Sequence, residues 1–198
     1  MKNINDLRVK KTRRSICTAF ISLQDERGID ALTIRDITDR AGVNRSTFYA
    51  HFHDLFDLRE QLETEVLRDL HLIISHWRKR IHEDGAEQAN VMQHIEMMTD
   101  IFTYIGKNAM LLKSILGPQG DSRFWEKLKE EIIRHLYGRE LTYGNGQGAD
   151  VVLPEQYVAA YVVSANLGLI QEWLHRDCAE SPREIALIHN RLSGYNRQ

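Results

Sequence analysis

A chain of 198 residues with 42% hydrophobic and 27% charged side chains can bury a sizeable core, which excludes wholesale disorder. No apolar run approaches the ~18 residues of a membrane span, and the basic, polar stretch Met1–Arg14 lacks the apolar centre of a signal peptide. The cytoplasm is the expected compartment. The net charge of −2 hides an asymmetry: residues 1–55 carry ten Lys/Arg against seven Asp/Glu, and the rest carries sixteen against twenty-one. A basic head on an acidic body points to a polyanionic partner for the head.

Only three prolines interrupt the chain, and no β-branched alternating run occurs, so the predicted fold is all-α. The first helix is expected over Val9–Arg27, with Ile16, Ala19, Phe20 and Leu23 as its apolar stripe and Gly28 beyond its end. Thr33 with Asp36 reads as a capping box opening a short helix through Ala41. Gly42-Val43-Asn44 breaks that helix, and Asn44 caps the next, Arg45 to about His53. A long helix from Leu55 to His82 keeps apolar residues at steps of three and four, and Asp84-Gly85 ends it.

Further helices are expected over Ala89–Gly106, Ala109–Leu116 and Ser122–Tyr143, with Gly117–Gly120 as a turn and Gly144–Gly148 as an exposed loop. Two closing helices follow, Pro154–Arg176 and Pro182–Leu192. Ser181, Pro182 and Glu184 supply the cap, first-turn proline and capping-box acid of the last. The sum is a three-helix head followed by about six bundle helices.

The span Thr33–Leu58 carries the chemistry. Helix, glycine-containing turn and second short helix form a helix-turn-helix pattern. Ile34, Ile37 and Ala41 give the first helix a buried face, and Val43 plugs the space between the two. Phe48 and Phe52, four apart, anchor the second helix inward and leave Arg45, Ser46, Thr47 and Tyr49 outward. Those are donors and acceptors of the kind that reach phosphates and base edges in a major groove.

Asn44-Arg45-Ser46-Thr47-Phe48-Tyr49-Ala50-His51-Phe52 closely resembles the TetR family of transcriptional regulators. The likeness extends back through Ala41-Gly42-Val43 and Leu32–Ile37 and forward to Asp57-Leu58, covering about residues 10–60. It implies a DNA-binding head, residues 1–54, joined to a helical effector and dimerisation domain, residues 55–198. It also implies roles. Thr33 contacts a phosphate, and Arg35 belongs to the same DNA-facing set. Asn44 caps the recognition helix, and Arg45, Ser46 and Thr47 read bases or nearby backbone. Tyr49 and His51 hold the backbone beside the groove. One departure stands out. Many relatives place a lysine where this chain has Leu55, so that phosphate contact falls to His53 or is lost, and affinity shifts toward the basic arm Arg8–Arg14.

The C-terminal stretch Tyr161–Trp173, followed by Ser181–Ala186, looks like that of a subgroup related to regulators of dihydroxyacetone kinase. Dimerisation is expected through the last two helices, with Val158, Tyr161, Val162, Ala165, Leu169 and Leu187 as interface candidates. An apolar or aromatic effector is expected near Met97, Met98, Phe102 and Trp125, within a sulfur- and aromatic-rich stretch that also holds Met92 and Met110. Core packing accounts for the same residues.

No cofactor, metal or catalytic role is expected. Neither His71/His76 nor His51/His53 has chelating spacing, Cys17 and Cys178 make no metal motif, and no phosphate loop or nucleophile elbow occurs. The expected function is a repressor that binds a palindromic operator as a homodimer and is released by its effector. The alternative is a ligand-independent regulator whose C-terminal domain docks a partner protein.

Overall fold

A computed structural model describes residues 4–83, 85, 90–117, 122–136 and 154–193. Among these the chain is all-α, as expected, with nine α-helices, one short 3-10 turn and no strand. The Gly144–Gly148 loop and the end of the helix expected to reach Tyr143 lie outside the described residues. Two compact units emerge: Met1–Val66 with Met110–Asp121, and Leu67–Ala109 with Ser122–Gln198.

The first unit begins with α1 (Ile4–Arg27), which starts about a turn and a half earlier than its apolar stripe implies. No proline or glycine stands between Ile4 and Arg27 to interrupt it. After the 3-10 turn Ile29–Ala31 come α2 (Ile34–Ala41), α3 (Arg45–Tyr49) and the start of α4 (Leu55–Glu83). Ile16, Phe20, Leu23, Ile37, Phe48, Phe52, Leu58 and Leu62 form one continuous buried cluster. The short helix α6 (Ala109–Leu116) also belongs to this unit. Leu111 packs on the cluster, and buried Gln24 of α1 donates to the Ser114 carbonyl. Periodicity could not assign α6 here, because it shows that a face is apolar but not which surface the face covers.

In the second unit, α5 (Val91–Lys107) packs extensively against α9 (Pro182–Leu192), while α7 (Ser122–Leu136) packs against α8 (Glu155–His175). Asn90 opens α5 through a reciprocal capping box with Gln93. Gly106 lets the ring of Trp173 approach. A Cβ there would stand 3.2 Å from the indole, whose edge meets Phe102 at 5.3 Å. The Trp77 indole donates to Asp100 at 2.8 Å, joining α4 to α5.

Candidate nucleic-acid interface

Each end of the helix-turn-helix is closed by local chemistry. Thr33 accepts from the Asp36 amide, and Asp36 accepts from the Thr33 amide and hydroxyl, completing the expected capping box. Those two donors hold the Asp36 carboxyl below the ordinary carboxylate range. Gly42 takes the left-handed conformation (φ 68°, ψ 34°), where a side chain is disfavoured, and its neighbour's amide returns to the Thr38 carbonyl. The turn is therefore short and its direction set.

Asn44 is more than a simple cap. Its side-chain oxygen accepts from the Thr47 amide, the Thr47 hydroxyl and the Ser46 hydroxyl, each at 2.7 Å. Three donors on one oxygen hold both hydroxyls against the first turn of α3. That helix ends at Tyr49, earlier than the expected His53. The Phe52 amide still bonds to the Phe48 carbonyl, while the His51 amide also turns back to Phe48, three residues away, tightening the last turn.

Phe48 is fully buried and Phe52 nearly so, with ring centroids 5.7 Å apart. Burying both rings fixes the rotation of α3. Arg45 and Ser46 are consequently exposed, Tyr49 is 56% exposed with its ring edge-on to Phe48, and Thr47 and His51 are half-buried. Thr33, Arg35 and His53 are also exposed. Arg35 lies 3.6 Å from Asp39, a solvated pair. The His53 amide donates to Asp57, and Asp54 accepts from the Asp57 amide, so this pair opens α4. Leu55 turns its side chain onto the buried cluster. Its apolar packing explains how α4 tolerates leucine here. Sequence reasoning missed Asp54 as a cap, although Asp54 and Asp57 stand three apart as in any capping box.

The other sequence-derived candidates fall in the second unit. Met97, Met98 and Phe102 share the buried face of α5, and Trp125 is half-buried on α7, whereas Met92 is 55% exposed. Met110, 58% exposed, belongs to the first unit with α6. Tyr161 and Ala165 are exposed on α8, Leu187 is exposed on α9, Val162 and Leu169 are half-buried, and Val158 is buried within the chain. No group of three or more His, Cys, Asp or Glu side chains suited to a metal ion occurs among the described residues. None of the described helices is long and apolar enough to cross a membrane.

This geometry sits on residues that match known regulators. Residues 19–60 match the family described as bacterial regulatory proteins, tetR family, and residues 93–194 match the family described as transcriptional regulator C-terminal region. An uncharacterized HTH-type transcriptional regulator of Haemophilus influenzae is 30% identical over 163 residues, covering 75% of this chain and 77% of the relative.

The chain belongs to the TetR family.

Its fold also matches solved TetR-family structures. A TetR-family regulator from Syntrophomonas wolfei superposes with a TM-score of 0.64 at 20% identity, over 94% of each chain. The regulator FadR of Bacillus subtilis, solved with stearoyl-CoA, gives 0.57 at 17% identity, over 87% of this chain and 92% of that one. As a TetR-family protein the chain is a DNA-binding transcriptional regulator, and such regulators are not enzymes.

Proposed function

We propose that this TetR-family protein is a cytoplasmic, one-component repressor that binds a palindromic operator as a homodimer and releases it on binding a small effector. The observation that carries this reading is the α3 surface: Arg45, Ser46 and Tyr49 project from a helix whose rotation two buried phenylalanines fix. Residues 1–54 form the DNA-binding head in this reading, and residues 55–198 serve dimerisation and effector binding.

Arg45, with Ser46 and Thr47, reads base edges, and Asn44 holds the two hydroxyls in place. Thr33, Arg35, Tyr49, His51 and His53 position the backbone. Binding to duplexes selected from a random pool tests this directly. Arg45→Ala should lose discrimination between the selected and a scrambled duplex. Tyr49→Phe should weaken both alike, because a phosphate contact carries no sequence information. Unchanged discrimination in Arg45→Ala would remove its assigned role.

The dimer reading rests on an apolar face that α8 and α9 leave exposed. Tyr157, Tyr161, Ile188 and Leu192 lie on it beside Ala165, Gly168 and Leu187. To enter successive major grooves of a palindrome, the two recognition helices of such a dimer must stand about one DNA turn apart. Sedimentation should give a dimer without DNA, and Ala165→Glu or Leu169→Glu should give monomers or aggregates.

For the effector, the buried methionine and aromatic face of α5 favours an apolar or aromatic body. The long acyl chain held by FadR, a distant structural neighbour, agrees with that class. The narrower likeness to regulators of dihydroxyacetone kinase is supported by the Tyr161–Trp173 and Ser181–Ala186 stretches.

A further inference from the structure

A cleft of about 630 Å³ opens in the first unit between the N-terminal turns of α1 and the helix-turn-helix. Arg8 and Thr12 stand on one wall; Asn44, Ser46, Thr47 and His51 stand on the other. Among the described residues no carboxylate lines it, and its apolar lining amounts to two valines and an alanine. Clefts for small organic ligands are mostly apolar and aromatic, so this one is poorly suited to an apolar effector. The Arg8 cation, the His51 imidazole, the Thr12 hydroxyl and the Asn44 amide nitrogen are donors that suit a phosphodiester instead.

The fate of the basic side chains sharpens this reading. Arg13 lies in the middle of the basic arm but faces inward. It pairs with Glu65 at 2.7 Å, donates to Gln61 and lies over the Phe52 ring at 5.4 Å. Arg40 is held by Glu26 and Ser22, and Arg35 lies near Asp39. Arg8 is exposed and makes no ion pair among the described residues. Thr12 follows it by four residues, on the same face of α1 one turn on. Because α1 is helical from Ile4, Arg8 is carried on a rigid element rather than a tail.

We propose that this cleft seats one sugar–phosphate strand of the bound duplex, with Arg8 neutralising a phosphate outside the base pairs read by Arg45. The proposal rests on the DNA-binding reading above and adds a second contact surface to it. Ser46 and Thr47 belong both to the recognition helix and to the cleft wall, so a duplex engaging α3 brings its backbone to the cleft mouth. The Arg8 contact is electrostatic and indifferent to sequence.

The test uses the full-length protein, a duplex selected from a random pool and a scrambled duplex of equal composition. Anisotropy titrations are run across a salt series. Arg8→Gln should weaken binding to both duplexes by the same factor and lower the slope of log K against log salt by about 0.9 per subunit bound. A scan of single methylphosphonate substitutions should find a neutralised phosphate that weakens the wild type but costs Arg8→Gln nothing more. Thr12→Phe, which fills the cleft, should weaken both duplexes with its thermal midpoint retained.

An unchanged slope in Arg8→Gln, with no methylphosphonate coupled to it, would overturn the cleft assignment and leave the DNA reading intact. So would lost discrimination in Arg8→Gln, since it would make Arg8 a base reader. A folded wild type that enriches no duplex from the pool would overturn both readings. If Thr12→Phe fails to fold, the exposed Arg8 variant still decides.

Discussion

Around Phe48 and Phe52 the core of the first unit is apolar, and polar side chains it buries find partners within the unit: Thr38 with the Arg35 carbonyl, Gln24 with the Ser114 carbonyl, and Arg59 with Glu63 at 2.9 Å along α4. Between α5 and α9 the second unit buries two imidazoles, His94 and His189, stacked with centroids 5.5 Å apart and with Phe102 edge-on to His189. The Asn166 amide nitrogen donates to the Val162 carbonyl, and this turns the Asn166 Oδ1 toward His189 Nε2 at 2.7 Å. Nε2 therefore carries the proton. His189 Nδ1 is left as a buried acceptor with no hydrogen-bond partner among the described residues. The contrast separates two ways of using a helical core. Beneath α3 the head is an apolar platform, and the first unit's buried charges, Arg59 and Glu63, neutralise each other along α4. The second unit keeps titratable chemistry within its packing.

The largest expected effect probes the platform. Phe48→Ala should cost about 3–5 kcal/mol, because a fully buried ring leaves a cavity that rigid neighbours fill poorly. Urea unfolding should show this loss, and DNA binding should fail with it, since the same ring orients α3. If stability fell while DNA binding persisted, the link between that ring and the recognition surface would be broken.

Next comes the buried imidazole. Burial holds His189 at about 4, against 6.5 for an ordinary histidine. Between those values the unfolded chain takes up a proton that the folded chain refuses. The stability held above pH 6.5 is therefore lost as pH falls toward 4, by about 1.4 kcal/mol per unit and about 3 kcal/mol in all. Urea titrations at several pH values should show His189→Gln with a shallower dependence than the wild type across this window. Equal slopes would remove His189 as the source and blunt the contrast between the units.

The smallest effects compare two caps. Ser181→Ala removes the α9 capping box and Asn44→Ala removes the α3 cap, each costing about 1 kcal/mol of stability. Only Asn44→Ala should also weaken and blur DNA recognition, because Ser46 and Thr47 lose the oxygen that holds them. Thermal melts paired with anisotropy measure both quantities. Equal loss of DNA binding in the two variants would deny Asn44 any role beyond helix stability.

What could be read from the amino-acid sequence is what short-range chemistry decides. The Thr33–Asp36 and Ser181–Glu184 boxes, the Asn44 cap and the turn at Gly42 each depend on residues within about four positions. The inward Phe48 and Phe52 follow from helical period, and with them the outward set Arg45, Ser46 and Tyr49. The Asn44–Phe52 wording pointed further, to a family and its function.

Tertiary structure alone decided pairings between distant residues. Arg13 meets Glu65 across 52 positions while Arg8, five residues earlier, stays open to the cleft. His94 stacks on His189 across the α5–α9 contact, and α6 joins the first unit through Leu111 and Ser114. Such outcomes depend on the rotation and crossing of whole helices, which many packed side chains set together. A basic run in sequence therefore shows how much positive charge the head holds, and only the fold shows which of those charges are left to meet DNA.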